Sequence, residues 1–271
     1  MRGATHSSFR GLAVAADRAL RAPYAPLCTC PYPGVQAFKE IMLDEGILEA
    51  VVVTMRNHLK YLPLQRLGAT LLCNLTAGST ALPSSERLVD IYALAHVRKV
   101  MDTSPKDKQF LRPAAALVRN MACMGPKFRE HVAERQNMLR SIMLVLRDHP
   151  ANPGCVRNCC MALSAFCTEA VYAWEICKRG GVRLTIKTIE EIVDKSDMKS
   201  KDRCTIIAHT FTLLHNLCCV EEGRIKLSQT LFNVYDGQAA GGQRLQQMHQ
   251  AIQITKEGGR ECATGLAPFG R

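Results

Sequence analysis

The sequence predicts an all-α chain in which one helical unit is used about five times. Three observations support that class. Ala, Leu, Val and Met supply most of the 47% hydrophobic residues, while aromatics make up only 6% and Trp174 is the single tryptophan. Small aliphatic side chains in that proportion favour packed helices. Apolar residues recur at helical spacing in paired segments, of which Gly46 to His58 and Gln65 to Gly78 form the most regular pair. The pair then recurs along the chain, and a period of about 20 to 50 residues denotes stacked repeats.

The chain opens with a basic tail. Arg2, Arg10, Arg18 and Arg21 face only Asp17 over the first 22 residues, with Ser7, Ser8, Phe9, Leu12 and Leu20 interspersed. That composition fits an organelle transit peptide, and the simpler reading is a flexible or docking N-terminal helix. Residues 22–34 hold four prolines and read as a linker. Residues 1–34 are therefore a tail and linker, and residues 35–271 the repeat domain.

Within that domain Phe38 to Glu45 predicts a short helix, Gly46 to His58 a second, and the segment after Pro63 a third that ends near Asn74. Gly46 and Asn74 stand 28 residues apart, and Asn137 to Ala165 repeats that distance. From Gly181 to Asn216 it is 35, the extra residues falling in the polar loop Asp194 to Arg203, where an insertion costs little. A second unit is less regular but keeps its apolar positions: Leu94, Val97 and Met101 match Leu48, Val51 and Met55, and Ala115, Val118 and Met121 match Ala69, Leu72 and Leu75. A fifth unit follows Gly242 and includes Arg260 to Phe269. Short leading helices are expected at Phe38 to Glu45, Ser85 to Ala93, Phe128 to Glu134, Val171 to Arg179 and Gly223 to Leu231. In a stacked array each unit shares its core with its neighbours, so Leu72, Leu75, Val118, Met121, Leu163, Phe166, Leu214 and Leu217 are core candidates.

A short helix, then Gly-[Ile/Val]-x-x-[Leu/Val] opening a second, then Ala-x-x-Leu-x-Asn-Leu in a third resembles the armadillo repeat family. Arg66 to Thr80 matches the motif best, and Thr210 to Leu217 follows. The resemblance covers about residues 36–271 and implies a right-handed α-solenoid of about five three-helix repeats, whose third helices line a concave groove. It implies that Asn74, Asn120 and Asn216 form an amide ladder along that groove, interrupted by Ala165 and Pro268. An amide carries both donors and an acceptor and so suits the backbone of an extended peptide. The alternative is that these amides bond their own helices or a neighbouring loop.

Eight residues before the ladder positions stand Arg66, Arg112, Arg157 and Arg260, with Ala208 in the fourth unit. A cation near a helix start is disfavoured by the dipole, so capping does not explain the row. Eight residues leave it about 80° round from the asparagines, at the groove's edge or floor. There it offers bidentate contacts to carboxylates or phosphates, or else it pairs with local Asp and Glu. The family's nuclear-import receptors carry tryptophan four residues before the asparagine. Here Thr70, Ala116, Met161, Thr212 and Thr264 hold that place, which speaks against a lysine-rich cargo signal.

The formal charge of +11, from 35 Lys and Arg against 24 Asp and Glu, points to an acidic partner. No basic block or interleaved aromatic run marks a nucleic-acid arm. The 13 cysteines lack zinc-finger spacing, and Cys73, Cys123, Cys159, Cys160, Cys218 and Cys219 lie in apolar helical patterns as small buried hydrophobes in a reducing compartment. No metal or cofactor is expected. Glu190 and Glu191 point about 100° apart on a helix, a poor acid and base pair. His58 and His149 end two second helices, where an imidazolium meets the dipole favourably. The Gly180-Gly181 and Gly241-Gly242 pairs are helix boundaries without the Lys-Ser or Lys-Thr of a phosphate loop. No run approaches the length of a membrane span.

The sequence thus predicts a non-enzymatic cytoplasmic scaffold or adaptor that holds an extended or helical acidic segment of another protein. The residues expected to carry that role are Asn74, Asn120, Asn216, Arg66, Arg112, Arg157, Arg260, Thr70 and Thr212. The competing readings are a basic helical-repeat protein that binds nucleic acid and an accessory subunit of a large assembly, with a mitochondrial location if the N-terminal arginines are a signal.

Overall fold

The computed structural model describes residues 33–78, 81–193 and 200–232. Every regular element among them is helical. The first three helices are α1 (Pro33–Asp44), α2 (Ile47–Asn57) and α3 (Leu62–Leu75), followed by α4 (Ala81–Asp90), α5 (Ala93–Thr103) and α6 (Lys108–Cys123). Next come α7 (Pro126–Glu130), extended by a π-helical turn over His131–Arg135, then α8 (Met138–Asp148) and α9 (Pro153–Phe166). The described part ends with α10 (Ala170–Lys178), α11 (Gly181–Val193), α12 (Ser200–Cys218) and α13 (Glu221–Phe232). None of these helices is long and apolar enough to cross a membrane.

The third helix of each triplet packs beside the next: α3 on α6, α6 on α9, and α9 on α12. The second helices α5, α8 and α11 also meet in succession, and the first helices fill the angles between. Buried apolar residues from Leu43 to Leu217 form one connected core, and all eight core candidates belong to it. Burying them draws on the third helices of adjacent triplets at once, because each has neighbours on two sides.

The turn into each second helix is a left-handed residue: Gly46 (φ 70°), Tyr92 (φ 52°), Asn137 (φ 49°) and Gly180 (φ 85°). In the fourth unit the left-handed residue is thus Gly180, one place before the expected Gly181, which is the first residue of α11. The third helices start after Tyr61, Asp107 and Asn152, which are 46 and 45 residues apart, so Asn74, Asn120 and Ala165 occupy equivalent places.

Several boundaries differ from expectation for local reasons. α1 already begins at Pro33, a residue suited to a helix start because it lacks an N–H to satisfy. α4 begins at Ala81 rather than Ser85, since Pro83 is tolerated in its first turn and Ser84 is not a cap. Ser84 is buried and donates its hydroxyl to the Leu75 carbonyl at the end of α3 (2.8 Å). α12 takes in Ser200 to Arg203, shortening the expected polar loop. Of the fifth unit only α13 lies within the described residues, so Arg260, Thr264 and Pro268 fall outside them, as does the N-terminal tail.

Polar joints finish the helix ends. Arg129 on α7 donates to the Ala122 carbonyl at the end of α6 (3.1 Å), and Arg224 on α13 to the Cys218 carbonyl at the end of α12 (3.2 Å). Each places a cation where the helix dipole is negative. Gln65, fully buried on α3, donates to the Met55 and His58 carbonyls at the end of α2 and is bonded through its oxygen to His96 of α5 (2.9 Å). His58 and His149 are the C-caps of α2 and α8 as expected, and His149 also meets the Pro105 carbonyl (2.6 Å).

Two measurable consequences follow from these joints. Tyr92 is 61% exposed and held in a left-handed conformation that costs an L-residue about 1–2 kcal/mol. Tyr92→Gly relieves that strain but frees the unfolded chain, so a net gain of about 0.5–1 kcal/mol is expected in urea unfolding. A loss would show that the ring packs where it is drawn as solvated. Burial lowers the pKa of His96, with Arg56 and Lys99 adding to the effect, and burial followed by Arg135 lowers that of His131. The folded state therefore binds fewer protons than the unfolded chain, in which these groups titrate near 6.5. Their contribution to stability is complete above that value and declines as pH falls below it towards the folded pKa. The urea midpoint should drop between about pH 7.5 and 5.5, and His96→Gln should flatten part of that slope.

Candidate partner-binding face

Charge separates sharply between the helix classes. The third helices carry Arg66, Lys108, Arg112, Arg119, Arg157, Lys201 and Arg203 against one carboxylate, Asp202. The other described helices, with the π turn, carry 15 Lys and Arg against 14 Asp and Glu. The basic excess of the described helices therefore lies in the layer formed by α3, α6, α9 and α12.

Arg66, Arg112 and Arg157, the described members of the arginine row, lie in the joints of this layer. Arg66 donates through Nε to both carboxylate oxygens of Asp107 (2.9 and 3.1 Å), and Asp107 also caps α6 by accepting from the Gln109 and Phe110 amides. The side chain of Arg66 is 36% exposed, so this pair orients more than it stabilises. Arg112, half-buried, lies across the start of α9, where a Cβ added at Gly154 would fall 2.8 Å from its Cδ and Nε. Arg157 is half-buried on α9 and, with Arg119, adds to the burial that lowers the pKa of His209 on α12. Both guanidinium groups thus act on that imidazole in the same direction as burial does.

The asparagines divide into two kinds. Asn120 is a staple: its amide donates to the Cys73 carbonyl (3.1 Å) and the Thr76 hydroxyl (3.3 Å) of the α3 end, and its oxygen accepts from Arg119. Its partners thus lie at the end of an adjacent helix, in place of the own-helix or loop partners of the stated alternative. Asn74 and Asn216 are half-exposed and their amides make no hydrogen bond among the described residues, so both can meet a ligand. Thr70 and Thr212 donate to the carbonyls of Arg66 and Ala208 in their own helices (2.8 and 2.9 Å), which leaves hydroxyl lone pairs as acceptors.

Two residues of this face were not among the expected ones. Arg119 bridges Asn120 to Asn158 of α9 (2.8 Å), and Asn158, only 2% exposed, donates to the Arg112 carbonyl (3.3 Å). A lone asparagine within the apolar run Cys155 to Phe166 is the signal that could have found it, since a buried amide needs partners.

Among the described residues the cysteines are mostly core. Burial pushes the Cys155 and Cys177 thiols up to about 11, which leaves them protonated at neutral pH. Cys123 and Cys219 depart from expectation and are exposed, because they sit at the ends of α6 and α12, where the stacking stops. Among the described residues no three His, Cys, Asp or Glu side chains converge as a metal site requires.

Comparison with known proteins gives no match, either to a protein-family profile or to a curated sequence.

The two kinds of asparagine separate experimentally. Asn120→Ala removes the donor to a carbonyl at a helix joint and should cost about 1–2 kcal/mol in urea unfolding. Asn74→Ala and Asn216→Ala should stay within about 0.5 kcal/mol of the parent, as surface changes do.

Proposed function

We propose that the chain is an α-solenoid of armadillo-like three-helix units acting as a non-enzymatic scaffold or adaptor. On this reading it holds an acidic segment of a partner protein against the third-helix face. The observation that carries the proposal is the charge separation: seven cations to one anion on the third helices, against near balance on the other described helices. Potential summed over aligned helices steers and holds an anionic ligand more effectively than the same charges scattered. The 46- and 45-residue recurrence of the third-helix starts supports the repeat reading. The free amides of Asn74 and Asn216 supply backbone-directed contacts near the two ends of the described face.

A protein segment is favoured over nucleic acid by where the aromatics lie. Phe110 and Phe166 are fully buried and Phe211 is packed against the core, so the third helices offer no platform for base stacking.

The test is recovery of partners from cells with the parent chain and with an Asn74→Ala, Asn216→Ala, Arg157→Gln variant, with and without nuclease, followed by titration of the recovered partner. The expected result is a nuclease-resistant acidic protein whose affinity falls steeply with salt and drops about fivefold for each amide removed. Unchanged binding by the variant, or a nuclease-sensitive partner, would overturn the reading.

A further inference from the structure

A second cationic site lies between the second helices α8 and α11. A cleft of about 580 Å³ opens there, within the span of about 300–1,000 Å³ typical of ligand-holding clefts. Met143, Leu144 and Leu184 line it, buried or half-buried. Arg140, Arg147, Arg179, Arg183 and Lys187 line it too, and all five are exposed, so apolar side chains form the floor and cations the rim. Among the described residues no carboxylate lines the cleft.

Three of the rim cations are turned towards acids outside it: Arg147 to Asp148 (2.7 Å), Arg179 to Glu175 (2.6 Å) and Lys187 to Glu191 (3.7 Å). Arg140 and Arg183 have no ion pair or hydrogen bond among the described residues. These two are equivalent, each three residues after the left-handed turn residue, Asn137 and Gly180. The same place holds Glu49 in α2 and Ala95 in α5, so the arginine pair belongs to this joint and is not a general property of the second helices. Beyond Arg183 and Lys187 a smaller cavity of about 190 Å³ continues the track past Ile186 and Glu190 to Thr230 of α13.

We propose that this cleft is a docking site for an acidic protein segment that inserts one bulky apolar side chain between Met143, Leu144 and Leu184 and sets carboxylates against Arg140 and Arg183. A bare phosphate or polyanion would leave the apolar floor unused. A flat anionic membrane would bring its headgroups against Asp148, Glu175 and Glu191 as well as the arginines, whereas a segment can place its charges on the two unpaired arginines alone. The site is independent of the third-helix face, and either can fail without the other.

The test is selection of phage-displayed randomised peptides on the full chain, with binding of the selected peptides to parent and to Arg140→Glu, Arg183→Glu protein measured by fluorescence anisotropy. Both arginines are exposed and unpaired, and unchanged thermal unfolding of the variant confirms that it folds. Enriched peptides should combine Asp or Glu with a Trp, Phe or Leu. Their affinity should fall tenfold or more in the variant, and also when the apolar residue becomes Ala or the acids become Gln. Phosphatidylserine vesicles run in parallel should bind parent and variant alike. The proposal is overturned if no acidic, apolar-anchored peptides are enriched, if those enriched ignore the charge reversal, or if the vesicles are the ligand that the reversal releases.

Discussion

Side-by-side packing of α3, α6, α9 and α12 is the constraint on which the rest depends. Each of these helices is flanked by others on more than one side, so its apolar positions are closed off only when its neighbours are in place. The faces that meet cannot be wholly apolar, because helix ends bring unpaired carbonyls into the joints. Asn120 satisfies the end of α3, Asn158 satisfies a carbonyl of α6, and Arg119 ties the two amides together. Polar residues in this layer are therefore structural where helices touch and available where they do not. That division separates Asn120 from Asn74 and Asn216.

The same packing explains where the charge can act. Guanidinium groups keep their charge when half-buried, and their long stems cover apolar surface at the joints. The third helices thus carry arginine in excess of carboxylate, while the other described helices balance one sign against the other, in local pairs such as Arg179 with Glu175 and Lys226 with Glu222. At the α8–α11 cleft two equivalent arginines, Arg140 and Arg183, meet over an apolar floor without a local acid among the described residues.

Much of the architecture was legible from periodicity. The helix pairs, the equivalence of positions 66, 112 and 157, and the core from Leu72 to Leu217 all follow from apolar spacing, because burial on both sides of a helix leaves a strong pattern. The left-handed entry to the second helix was legible at Gly46 and not at Tyr92, a residue type that gives no left-handed signal. What spacing could not supply is the direction of long polar side chains. Arg66 and Arg112 have equivalent places, yet one meets Asp107 and the other lies over Gly154, and only the neighbouring unit decides which. Asn120 likewise reads as a ladder residue until the end of α3 is set beside it. The α8–α11 cleft joins residues some 40 positions apart, and no single motif contains it.

The potential at the third-helix layer can be read at one atom. Burial lowers the pKa of His209 on α12, and Arg157 of α9 and Arg119 lower it further, so the part of the shift that depends on Arg157 and on salt reports the charge of the face. An NMR titration of the His209 ring in the parent and in Arg157→Gln protein, at low and high salt, tests the account most directly. A pKa below 6.5 that rises on removal of the guanidinium and with added salt is the expected result. A value at or above 6.5, or one indifferent to Arg157, would contradict an electropositive layer of stacked third helices.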